Sequence, residues 1–155
     1  MQIRSLTLIA ATLAAAVPAI ALGHADDDNI KARQGYYQMV SHNAGALFGM
    51  AQGKVAYDAE AAQTHAANLE MLATMNTASM WPAGTDKASK PGQTRALPVI
   101  WETYPAILEK NKAFADASAA LVENAGNGLD ALRANIGPLG ASCKGCHETY
   151  RAKDF

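Results

Sequence analysis

Cysteine is nearly absent. The 155-residue chain has two, too few for a disulfide scaffold. Aromatic residues make up 6% of it and charged residues 17%. Neither sign of charge dominates: 13 Lys and Arg face 14 Asp and Glu, a net of −1. That balance excludes a strongly basic nucleic-acid binder. β-Branched residues are sparse, no strand-like alternation runs beyond a few residues, and no segment repeats at a solenoid period. Half of the residues are apolar, with alanine heavily used, so helix is expected throughout. The length indicates one domain.

The one long apolar run lies at the start. Met1 to Arg4 carries a positive charge, Ser5 to Leu22 is apolar, and Gly23-His24-Ala25 meets Asp26-Asp27-Asp28. This is the layout of a secretory signal. Cleavage is expected after Ala25, with Gly23 as the small residue two before it; a cut after Gly23 is the alternative. The run is just long enough to span a bilayer. Pro18 and the small residues after it favour cleavage over a retained anchor. The reading is a leader over residues 1–25 and a mature domain over 26–155, exported to a periplasm without stable membrane insertion.

Four helices are expected in the mature chain. The first, about Asp28 to Gln52, has Ile30, Arg33, Tyr37, Val40, Ala44, Leu47 and Ala51 on one face. Asp26 to Asp28 would cap it and Gly53 would end it. The second runs from about Asp58, its N-cap, to Ser79, and Ala59, Ala62, Ala66, Leu69 and Ala73 give it a small-residue face. Trp81 to Leu97, with Pro82, Gly84, Pro91 and Gly92, reads as a long loop suited to a crossover between helices that are not simple neighbours. The third helix starts near Pro98 and should bend at Pro105. Ile100, Tyr104, Ile107, Phe114 and Leu121 share its face, and Asn124 to Gly128 is a turn. The fourth, about Leu129 to Lys153, aligns Leu129, Leu132, Ile136, Leu139, Cys143, Cys146 and Tyr150, with a kink or local break expected at Gly137-Pro138. The fold class is all-α: an antiparallel four-helix bundle with a long loop between its second and third helices.

Both cysteines fall in Cys143-Lys144-Gly145-Cys146-His147, the C-x-x-C-H signature of c-type haem attachment. Cysteines three apart on a helix share a side, so each can add across one vinyl group of the same porphyrin. His147 then brings an imidazole to the iron as proximal ligand. A thioredoxin-like dithiol would need a βαβ setting, and a zinc site would need a second ligand pair. One haem c, held by two thioethers, is therefore expected. His65 is read as a surface residue of the second helix, and His42 as a lone helix histidine and not a second haem ligand.

The chain resembles the cytochromes c′ over essentially the whole mature length. Ile30-Lys31-Ala32-Arg33-Gln34 is similar to that family's opening helix. Gly140 to Arg151, containing C-x-x-C-H at the far C-terminus, is similar to its haem segment. Pro98-Val99-Ile100-Trp101 and Lys112-Ala113-Phe114 resemble its third helix. The resemblance implies a five-coordinate, high-spin iron above His147. It implies a bulky, non-coordinating side chain over the open face, four residues after the Arg, which is Tyr37 here. Tyr36 is its register-shifted competitor. Arg33 is similar to the family Arg near a haem propionate, and Arg151 to the basic residue near the proximal face.

The implied function is binding of small uncharged diatomics, NO and CO, with NO sequestration or tolerance as the role and electron passage to a periplasmic redox partner as a further capacity. With no hydrogen-bonding histidine expected above the iron, stable O₂ binding is not. No acid/base pair marks an enzyme. A homodimer through the first two helices is implied, with which the Ala-rich face is compatible. The alternative is a six-coordinate, low-spin electron carrier with Met39 as axial ligand.

Overall fold

A computed structural model describes residues 20–155; most of the expected leader lies outside them. α1 spans Ile20–Ala51, α2 Ala59–Thr74, α3 Val99–Glu102, α4 Tyr104–Asn124 and α5 Leu129–Tyr150. Among the described residues there is no named strand, only an isolated bridge between Ala96 and Arg151.

The helix ends follow local chemistry, and several differ from the sequence reading. α1 is already under way at Ile20, so Asp26 to Asp28 lie inside it and do not cap it. Nothing between Ile20 and Ala25 stops a helix, since no proline falls there. Asp26 and Asp27 instead pair with Lys90 at 3.5 and 3.4 Å. Gly53 closes α1 in the left-handed region, φ +72°, as expected of a helix-ending glycine. Asp58 caps α2: its Oδ1 accepts from the Ala61 amide at 2.7 Å. α2 stops at Thr74, short of Ser79. There the Asn76 side chain accepts from the Ala78 amide at 3.1 Å, a local bond that competes with helix continuation.

Pro105 does more than bend its helix. Thr103 leaves the helical region and the chain restarts as α4 with Pro105 in the first turn, where no amide donor is required. Of the kink or local break expected at Gly137-Pro138, the break is absent: α5 runs unbroken from Leu129 to Tyr150 with Pro138 inside. It ends before Lys153 because the chain beyond it pairs with the long loop. The Leu97 amide donates to Tyr150 O at 3.0 Å and the Ala152 amide to Arg95 O at 2.9 Å.

The four long helices close a ring in which α1 meets α2, α2 meets α4, α4 meets α5, and α5 returns to α1. This is the antiparallel four-helix bundle. Leu47, Leu69, Leu121, Leu132 and Leu139 are fully buried along its axis, each stabilising by roughly 1.5–3 kcal/mol. The Ala-rich face of α2 belongs to this core: Ala62 and Ala66 are fully buried within the chain, so it is not a surface for a second copy. The long loop is not a crossover either, since α2 and α4 are packed neighbours. Its length covers one end of the bundle. There Ile100, Ile107 and Tyr150 form a second apolar cluster with Trp81, Trp101 and Cys146 around it.

Candidate functional site

The end of α5 nearest that second cluster carries the chemistry. Cys143 and Cys146, three residues apart, are half-buried and free. Burial pushes both thiols above their ordinary pKa, with the Arg151 charge opposing it at both and Lys110 at Cys146. They are therefore neutral thiols and not activated nucleophiles. Burial lowers the pKa of His147, and the charges of Arg151 and Arg95 lower it further. Its imidazole is held neutral, the form that ligates a metal.

α1 brings Arg33 and Tyr37, one turn apart, to the same end. Arg33 is 4% exposed. Its guanidinium donates to Met80 O at 3.1 Å, Thr85 Oγ1 at 2.6 Å and Thr85 O at 2.8 Å. It also lies 4.5 Å from the Trp81 ring centre. Its neighbour in the loop, Asp86, directs its carboxylate to the Ala88 and Ser89 amides and the Ser89 hydroxyl. Among the described residues no carboxylate pairs with Arg33, and burial lowers its pKa. A buried cation without an anion is costly, and this one suits a carboxylate supplied by a bound group.

Tyr37 is 45% exposed, yet burial is the main cause pushing its hydroxyl well above the ordinary phenol pKa. Neighbouring side chains of the same end of the bundle therefore surround it, although nearly half of it stays exposed. Cys146 is close enough for its charge to add to that rise, and the Trp81 ring is 6.4 Å away. Tyr36 packs edge-on against Tyr37, ring centres 4.9 Å apart, but its hydroxyl is taken up by Leu72 O of α2 at 3.0 Å. Met39 and His42 line a groove between α1 and α2 with Met71 and Met75. Arg151, at the end of α5, is exposed, and its charge reaches Cys143, Cys146 and His147.

The sequence reading missed three contributors. Lys110 of α4 lies over the C-x-x-C-H segment; a Cβ on Gly145 would stand 3.7 Å from its Nζ. Arg95 adds a second cation near His147. Trp81 and Trp101, ring centres 5.9 Å apart, are joined by the Trp101 Nε1 bond to Trp81 O at 3.1 Å. No sequence motif marks Lys110 or Arg95; the two tryptophans flanking one loop were the available signal.

These residues fit a haem c. Two thiols share a helix side, a neutral imidazole follows at once, a buried guanidinium finds no carboxylate among the described residues, and aromatic side chains cluster beside Cys146. The family model described as Cytochrome C′ matches residues 28–151. The chain belongs to the cytochrome c′ family. A cytochrome c′ of Cereibacter sphaeroides is 37% identical over 94% of this chain and 97% of its own length. A cytochrome c-554 of the same organism is 37% identical over 81% of each chain. Among solved structures, a cytochrome c′ from Rhodobacter spheriodes superposes with a TM-score of 0.80 at 36% identity, covering 83% of this chain and 98% of its own. Two cytochrome c′ variants from Alcaligenes xylosoxidans, one ferrous with bound NO and one with bound CO, superpose at 0.70 and 0.68. Their identities are 30% and 31%, and each covers 83% of this chain and 97% of its own. Another cytochrome c′, described by a ligand-controlled dimer dissociation, reaches 0.75 at 27% identity over 83% of this chain and 97% of its own. Cytochromes c′ bind haem c, and no helix among the described residues is long and apolar enough to cross a membrane.

Proposed function

We propose that this cytochrome c′ is an exported monohaem protein that binds NO and CO at a five-coordinate iron behind Tyr37 and serves to sequester NO. Haem c bound here supplies a redox-active iron with an open position. Cys143 and Cys146 would tether it through thioethers, and His147 would ligate from one side. Arg33 would answer a propionate with the charge it now holds unpaired. Arg151 would set the field on the His147 side. Tyr37 would crowd the opposite side, keeping water and anions out while yielding to a two-atom ligand.

One observation carries this reading. Of the α1 side chains with described surroundings that could ligate iron, Met39 and His42 line the α1–α2 groove and Met50 is buried in the core, whereas Tyr37 lies beside Trp81 and within charge range of Cys146. Met39 lies two residues from Tyr37, about 200° around the helix, which argues against the low-spin electron-carrier alternative. Relatives described with bound NO and CO support the choice of ligand. We assign no catalytic role and place the protein in the periplasm, after removal of residues 1–25. A homodimer through α1 and α2 is supported by their exposed Met39 and Met71 and by the relative described as a dimer.

Tyr37→Ala tests the reading. Flash photolysis of the CO complex should give a recombination rate at least tenfold faster than the parent. An unchanged rate would remove Tyr37 from the open face.

A further inference from the structure

Outside the haem site, the two remaining histidines with described side chains meet across α1 and α2. The ring centres of His42 and His65 are 5.6 Å apart, inclined at 70°. Two imidazoles on one metal ion, with metal–nitrogen bonds of about 2.0 Å and tetrahedral to trigonal angles, put their ring centres roughly 5–5.5 Å apart. The observed separation is within a small side-chain adjustment of that.

The surroundings fix one ring in a ligating state. Asn43 is 6% exposed, and its Nδ2 donates to Met39 O at 2.8 Å. That bond turns its Oδ1 toward α2, where Asn68 Nδ2 donates to it at 3.0 Å and His65 Nδ1 lies 2.9 Å away. A carboxamide oxygen only accepts, so Nδ1 of His65 carries the proton. In the neutral ring Nε2 then has its lone pair free. An imidazole whose other nitrogen donates to an amide or carboxylate oxygen is the usual supporting arrangement of a metal-bound histidine. Met39 stands one turn before His42, and both line the same groove. No third His, Cys, Asp or Glu joins the pair among the described residues, so water would fill the other positions.

We propose that His42 and His65 form a second metal site, independent of the haem, for a divalent transition ion of borderline softness. Among such ions Cu²⁺ binds imidazole sites most tightly and serves as the probe; its tetragonal preference calls for the rings to close further, to roughly 4.5 Å between centres. Asn43 is the positioning residue.

The test uses haem-loaded protein without an affinity tag, so that Cys143, Cys146 and His147 are not free to bind the probe. Cu²⁺ is titrated and followed by electron paramagnetic resonance. A parallel sample prepared with excess Zn²⁺ in place of Cu²⁺ identifies the haem contribution, and the Cu²⁺ hyperfine pattern is read against the strong low-field line of high-spin ferric haem. The proposal predicts one copper per chain with splitting from two nitrogens. His42→Gln and His65→Gln should each weaken binding at least tenfold and reduce the splitting to one nitrogen. Asn43→Ala should weaken binding by about 10–100-fold while two nitrogens persist at saturation. The haem spectrum and melting temperature check that each variant is folded. Copper bound equally by the folded double histidine variant, no saturable binding by the parent, or four nitrogens from a site shared between chains would each overturn it.

Discussion

Arg33 ties α1 to the long loop through Met80, Thr85 and the face of Trp81. A lysine would keep the charge but lose the planar fork and the stacking. Arg33→Lys should therefore cost about 1–3 kcal/mol, the range for leaving buried polar partners unsatisfied, seen as a lower urea midpoint with an unchanged slope. An unaltered midpoint would show that the loop holds without the fork. The sequence placed Arg33 and Tyr37 on one helix face but could not choose between Tyr36 and Tyr37. That choice depends on a carbonyl of Leu72, 36 residues from Tyr36, which no local pattern encodes. The same limit hid Lys110 and Arg95, whose nearness to C-x-x-C-H is purely tertiary.

At the level of elements, apolar periodicity was legible and connections were not. The stripes of α1 and α5 bury Leu47, Leu132 and Leu139 as their three-and-four spacing requires. The loop's proline and glycine content marked it as irregular, yet its length suggested a crossover that the packing of α2 on α4 rules out. Its length is set by the contacts it makes with Arg33, Tyr150 and Ala152. Pro138 shows the opposite: a residue that costs about 3 kcal/mol in a helix interior sits inside an unbroken helix, so the local break expected there does not form. The α4–α5 turn is stricter. Gly128 has φ +112° and ψ 159°, a region essentially confined to glycine, and its amide donates to the Tyr57 hydroxyl at 2.9 Å. That hydroxyl in turn donates to Ala125 O at 2.8 Å. Gly128→Ala should cost about 1–3 kcal/mol by chemical denaturation. No loss would mean that the turn adopts another conformation.

Across the whole molecule, the bundle axis is filled by leucine and alanine, and one end is built differently. There the long loop, the C-terminal segment and the ends of α1 and α5 enclose tryptophans, a buried unpaired guanidinium, two neutral thiols and a neutral imidazole. The cofactor class was legible from five consecutive residues. The proposed open-side residue depends on the rotation of α1, set by the packing of Ala44 and Leu47 in the core. That rotation puts Tyr37 beside Trp81 and Met39 on the α1–α2 groove. The most direct test is the absorption spectrum of protein matured with haem-attachment machinery, recorded ferric, reduced, and reduced with NO or CO. The account predicts a broad high-spin reduced spectrum that shifts on adding either gas. Sharp, split low-spin bands indifferent to both gases would contradict it and establish a sixth protein ligand on the iron.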